Sequence, residues 1–276
     1  MELQENEDRS TPRTMLGRRL RRLRESAGLS LRALAERIGY PHTYIGRVER
    51  GEQLPSVALA EALDVHFDAD ELFVELLAMA QDTLIADYSR EVVAQERKAL
   101  RIQVFTSSLI PGLLQTEDYA RELFLAGMPG KTPDQISAHV TARMNRQCLF
   151  EADDPPYYWA IIDEAALKRP TVNKKFMTAQ LDRLLRAADS SLITVQILPF
   201  RQALHPMLGG SLTLLTLKDG GTVALVESFD SGEAVDAPKK LVELVQRFDV
   251  ARSMALPEPE SLDLIRDYLE EYTDEG

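Results

Sequence analysis

Along the first eighty residues, apolar positions recur at helical spacing. Leu16, Leu20, Leu23 and Ala27 share one face, and arginines fill the others. Gly28 stands where a helix end needs a residue able to take positive φ, and Ser30 stands as the N-cap of a second helix with Leu31, Leu34, Ala35 and Ile38 inward. Gly39 supplies a sharp turn into a third helix, from about Pro41 to Arg50, with Ile45 and Val48 inward and Gly51 ending it. Pro55 and Ser56 open a fourth helix through Ala60 and Leu63. A fifth runs from about Ala69 to Met79 behind the cap-like Asp68. The pattern predicts a small all-α bundle over residues 13–80, after a polar lead-in at residues 1–12 that is expected to be disordered.

Residues 81–100 read as a helical connector, and residues 101–276 as a larger α+β domain. Ile102 to Leu109 alternates weakly. A Pro-Gly turn then leads into a helix from about Thr116, and Thr132 caps another that ends near Phe150. Strand-like runs follow at Tyr157–Ile162, Leu192–Leu198, Ser211–Leu217 and Val223–Glu227, with an amphipathic helix from about Lys174 to Ala188 between the first two. Asp219-Gly220-Gly221 has the chemistry of a β-hairpin turn. Two helices, Pro238 to Met254 and Pro259 to Tyr272, flank the breaker segment LPEPE. The expected sheet is small and mostly antiparallel.

Charge changes this picture most. From Arg13 to Arg50 there are ten arginines against three glutamates, a local net charge of +7. Residues 1–12 carry −3 and the whole chain −12, so residues 51–276 carry −16. A basic head on an acidic body fits a protein that touches phosphate at one end only. No apolar run approaches the ~20 residues that cross a bilayer, and the N-terminus has no apolar segment of a signal peptide, so the cytoplasm is expected. The single cysteine, Cys148, excludes an internal disulfide and a cysteine-based metal cluster.

The first helices carry the spacing of a helix-turn-helix unit, in which the second helix of the pair enters the major groove of DNA. That helix is PHTYIGRVER. With Ile45 and Val48 inward, His42, Thr43, Gly46 and Arg47 are left on the groove side as candidate base readers. Arg47 suits a bidentate pair with guanine, and Gly46 permits close approach. Arg18, Arg19, Arg21, Arg22, Ser30, Arg32 and Arg50 are candidate phosphate contacts. Glu49 is expected to pair with an arginine of the first helix such as Arg21.

The stretch RLRRLRESAGLSLRALAERIG followed by PHTYIGRVERGEQLPS resembles the Xre/Cro-type helix-turn-helix (lambda-repressor-like) family, with Gly39, Ile45, Arg47, Glu49, Gly51 and Pro55 in register. Leu31 stands where that family often has a phosphate-binding Gln, and Gly46 where Ser is common. PGLLQTEDYARELFLAG, ITVQILPF and HPMLGGSLTLLTL resemble the C-terminal domain, of unknown function, of the WhiJ-like regulators of actinomycetes. That resemblance implies a developmental or secondary-metabolism regulator working with a small protein encoded nearby.

The body offers no catalytic constellation. LGGS and DGG are isolated turns, not phosphate loops, and the four histidines show no pair at ligand spacing. No enzyme activity, cofactor or metal is expected. Two segments are candidates for an effector or partner: Leu109–Ala120, with Gln115 and Thr116, and Pro199–Ser211, read as a flexible loop with Arg201, His205, Met207 and Leu208 at its tip. The reading that follows is a sequence-specific transcriptional regulator, homodimeric on a palindromic site of double-stranded DNA. Its acidic domain dimerises and receives a signal from a small protein or small molecule. The alternative is an antitoxin-like protein that neutralises a partner and binds DNA to regulate itself.

Overall fold

The structure, a computed structural model, describes residues 11–229 and 231–274. The expected lead-in lies outside these residues except for Thr11 and Pro12, which open the first helix. Contacts divide the chain into two units, Met1–Ile85 with Gly127–Asn145, and Ala86–Ala126 with Arg146–Gly276.

The first unit is all-α. Helix α1 (Pro12–Ser26) starts with Pro at its first turn and a capping box between Thr11 and Thr14, a start signal that places it four residues before Leu16. Helix α2 (Leu31–Ile38) is capped by Ser30, whose Oγ accepts from the Ala33 N–H at 3.1 Å, and ends at Gly39 with φ 75°. Helix α3 (His42–Glu49) follows after Tyr40 and Pro41. Helix α4 (Val57–Phe67) is capped by Ser56. Helix α5 (Leu72–Asp82) departs from expectation, because Asp68 closes α4 in the left-handed conformation and does not cap α5. Asp64 takes that role: its carboxylate accepts from Phe73 N–H at 2.9 Å and from Val74 N–H at 3.0 Å. Leu16, Leu20, Leu34, Ile45, Val48, Leu59, Leu63 and Phe73 form the buried core. The helix Pro133–Arg146 joins this unit. Its Ala138 is fully buried in the same core, and Asn145 donates from Nδ2 to the Pro55 carbonyl at 3.4 Å.

The second unit is a six-stranded mixed sheet in the order β3-β2-β1-β4-β5-β6. Residues 81–100 hold the end of α5, helix α6 (Asp87–Gln95), a single 3₁₀ turn and the first residues of β1 (Ala99–Thr106). Helix α7 (Glu117–Gly127) is followed in sequence by α8, the Pro133–Arg146 helix just described, then β2 (Tyr157–Asp163), α9 (Glu164–Lys168) and α10 (Lys174–Ala187). Strands β3 (Ile193–Leu198), β4 (Ser211–Leu217), β5 (Thr222–Glu227) and β6 (Gly232–Val235) complete the sheet, and α11 (Pro238–Met254) and α12 (Glu258–Asp274) close the chain. Strands β1, β2 and β3 run parallel, while β4, β5 and β6 extend the sheet antiparallel, so three of the five pairings are antiparallel. The β4–β5 turn forms where Asp219 and its glycines predict it. Gly220 takes φ 89°, and Gly221 N–H donates to Asp219 Oδ1 at 2.9 Å.

Alternation along the strands divides the apolar residues between two faces. One face, with Ile102, Tyr158, Ala160, Val195 and Leu215, packs on Met177, Leu181 and Leu184 of α10 and on Ile265 of α12. The other, with Phe105, Ile161, Leu198, Leu214 and Ala224, packs on Leu241, Leu244 and Phe248 of α11. Leu256 of the breaker segment and Ser261 in the first turn of α12 together cover the β3 edge at Ile197. Leu256 N–H donates to the Ile197 carbonyl at 2.9 Å, and Ile197 N–H donates to Ser261 Oγ at 2.9 Å. An edge that would otherwise present unpaired backbone groups is closed this way.

Candidate nucleic-acid interface

The first unit is held so that one side of α3 stays outward. α1 crosses α3 at Gly17, where an added Cβ would meet the carbonyl oxygens of Val48 and Glu49 at 2.6 Å. Arg24 of α1 then clamps Glu49 with two bonds, Nε to Oε1 at 2.6 Å and Nη2 to Oε2 at 2.9 Å, while its Nη1 donates to the Leu29 carbonyl at 2.8 Å. The pair is nearly enclosed, and the Arg24 guanidinium is pushed above its ordinary value first by the hydrogen bond to Glu49. The expected partner, Arg21, instead pairs with Glu25 one turn on, at 2.8 Å in solvent. Positions 21 and 24 sit on neighbouring faces of α1, and only 24 faces α3. At the other end of α3, Tyr44 Oη accepts from the Ser56 N–H at 2.7 Å and ties the helix to the start of α4.

With Ile45 and Val48 fully buried, α3 exposes His42, Thr43 and Arg47. Gly46 is placed otherwise than expected: it is buried, and a Cβ there would lie 3.2 Å from Arg50 Nη1 and 3.6 Å from Leu31 Cδ1. The α2–α3 turn sets Leu31 beside it, and the Arg50 side chain folds over it.

The candidate phosphate residues sort by what they already bind. Ser30 spends its Oγ on the α2 cap. Arg50 makes a two-bond pair with Glu52 at 2.6 and 2.8 Å, Arg21 holds Glu25, and Arg18 Nε donates to the Thr14 carbonyl at 3.3 Å. Arg19, Arg22, Arg32 and Arg47 are exposed and carry no ion pair among the described residues. They form the part of the basic surface with its charge uncommitted.

The two candidate segments of the second unit are built differently from their expectation. Gln115 is buried and donates from Nε2 to the Ile110 carbonyl at 2.8 Å. The Thr116 N–H donates to Oε1 of the fully buried Gln180 at 2.7 Å, and Thr116 Oγ1 caps α7 by accepting from Tyr119 N–H at 3.3 Å. These side chains satisfy the backbone of a buried loop. In the 199–211 segment, Met207 is buried and the His205 ring turns inward, its Nε2 3.1 Å from Asp163 Oδ2. Arg201 and Leu208 are exposed. The segment is therefore pinned from beneath and does not carry all four side chains at a tip.

Gly17, Arg24, Tyr44 and Asp64 are the positioning residues that sequence reasoning did not single out. A glycine inside the helical run Leu16–Leu20 was the available signal for Gly17, since such a residue implies a close neighbour. The bundle with an outward α3 defines a helix-turn-helix protein. Residues 15–77 match the family described as Helix-turn-helix domain, and residues 89–267 match the family described as Domain of unknown function (DUF5753). The latter match spans more than half of the chain, which belongs to the DUF5753 family. No curated protein and no solved structure is significantly similar to the chain. The helix-turn-helix domain suggests a DNA-binding regulator. Among the described residues no helix is long and apolar enough to cross a membrane, and no cluster of metal-ligating side chains occurs.

Proposed function

We propose that this chain is a sequence-specific transcriptional regulator of the Xre type that binds a palindromic operator as a homodimer. α3 enters the major groove, Arg47 reads a guanine through its two-pronged guanidinium, and His42 and Thr43 contact neighbouring base edges or phosphate. Arg19, Arg22 and Arg32 hold the backbone phosphates; Arg18, Arg21 and Arg50 join them by exchanging their internal partners for DNA. The DUF5753 domain dimerises the chain and receives a signal from a small protein or small molecule. One groove helix makes few base contacts, so two-fold repetition supplies the specificity that a single copy lacks.

The observation that carries this reading is the outward side of α3, where His42, Thr43 and Arg47 are exposed while Ile45 and Val48 are fully buried. Its test begins with operator selection from random DNA, followed by titration of the selected site with wild type and Arg47→Ala. The variant is expected to lose about 1–3 kcal/mol of discrimination at one base pair of each half-site while keeping weak non-specific binding. Retained preference in the variant would overturn the assignment of Arg47.

A further inference from the structure

We infer that the loop from β3 to β4, with the facing wall of α12, is a docking surface for a basic peptide segment of a partner protein that carries aliphatic anchors. The inference rests on reading the second unit as the part that receives a signal, and it gives that signal a chemistry.

The loop is held from beneath. His205 Nε2 lies 3.1 Å from Asp163 Oδ2, and the His205 Nδ1 accepts from Met207 N–H at 3.3 Å, so both ring nitrogens are engaged. Phe105 meets the ring edge-on at 5.6 Å between centroids, and Met207 is buried beside it. At the start of the loop, Phe200 N–H donates to Glu164 Oε2 at 2.6 Å. With its inner side fixed, the loop turns three large apolar side chains outward: Phe200 is 53% exposed, Leu204 83% and Leu208 54%. Single exposed apolar residues are ordinary, but three on one anchored loop form a surface that loses little conformational freedom on binding.

The neighbouring wall sets the sign of the partner. An open groove of about 490 Å³ runs beside Phe200, lined by Glu164, Arg201, Glu260, Asp263 and Asp267 among others. Four carboxylates face one guanidinium there. Glu260 and Asp267 carry no ion pair among the described residues, and Asp263 holds Arg266 in solvent at 2.6 Å. Glu164 accepts from the Tyr268 hydroxyl at 2.7 Å and from Phe200 N–H. An anionic ligand is repelled by this wall. Lysine or arginine side chains are drawn to it, and the apolar loop beside it takes the anchors.

The test uses full-length protein and fluorescence anisotropy of a short labelled peptide in which pairs of arginine alternate with pairs of leucine. Wild type is expected to bind it, and replacing the leucines by serine is expected to weaken binding by roughly tenfold. The exposed double substitution Phe200→Ser/Leu204→Ser and the charge-removing Glu260→Gln/Asp267→Asn are each expected to weaken it by a similar factor. Equal binding by wild type and Phe200→Ser/Leu204→Ser, or equal binding of a peptide with glutamate in place of arginine, overturns the proposal. So does sedimentation showing that Phe200→Ser/Leu204→Ser dissolves a self-associated form, since the occupant is then a second copy. Operator binding by the same preparations separates the two readings. Failure of wild type to bind the peptide while it still binds its operator sinks the docking surface alone, and absent operator binding by wild type sinks the regulator reading whatever the peptide does.

Discussion

At Gly17 the backbones of α1 and α3 approach so closely that no side chain fits between them. A Cβ would press on two carbonyl oxygens at 2.6 Å, and backbone cannot yield as a flexible side chain can. Gly17→Ala gains helix propensity in α1 yet is expected to lose about 1–3 kcal/mol by overpacking. Denaturant unfolding measures the difference, and an equally stable variant would mean the helices can part there at no cost. The neighbouring Arg24–Glu49 pair shows how far single residues can be read. A glutamate in a helix otherwise basic and apolar announces an internal partner. Arg21 and Arg24 both suit it chemically, and the choice falls to the helix face that meets α3. Gly46 teaches the reverse: its place on the helix suggests the outward side, and the neighbouring Leu31 and Arg50 bury it.

Helix starts and stops were largely legible, because capping chemistry is local. Ser30, Ser56 and Thr132 cap the helices they precede, and Gly39 and Gly220 take the positive φ their turns require. The exception is α5, whose cap comes from Asp64, nine residues before the Phe73 N–H it accepts from, rather than from the nearer Asp68. Asp64→Ala is expected to cost about 1–2 kcal/mol, since the orphaned N–H groups of α5 then lie buried beside a lost charge. A thermal midpoint unchanged by that substitution would assign the cap elsewhere. Helix α8 carries a pH dependence. Burial, helped by Lys131 and Arg143, holds His139 below its ordinary value of 6.5. The unfolded chain therefore binds the proton first, and this group removes stability from the first unit as pH falls below about 6.5. His139→Gln is expected to flatten that part of the stability curve. The short β6 carries no strand signal, because GEAV has neither length nor alternation, and it exists through pairing with β5.

For the whole molecule, the segregation of charge is the dominant property: +7 over residues 13–50 against −16 over residues 51–276. Such a distribution attracts phosphate to the basic segment and repels it from the acidic remainder. Arg19→Ala, at an exposed guanidinium with no ion pair among the described residues, is expected to weaken binding to all DNA alike and to lower the salt slope by about one unit. An unchanged slope in filter-binding titrations at varied salt would place Arg19 off the interface.

Sequence by itself determined an all-α region followed by an α+β one, the helix order of the basic region, most strands and the outward position of Arg47. Each follows from periodicity, capping or charge, which act over a few residues. Tertiary structure alone decided the parallel β1–β2–β3 half of the sheet, the Asp64 cap, and the covering of the β3 edge at Ile197 by Leu256 and Ser261. It also decided that residues 127–145 group with the basic unit, through Ala138 and Asn145, and that His205 and Met207 point inward. Those outcomes depend on which distant surfaces exclude water together, and spacing along the chain carries no record of that.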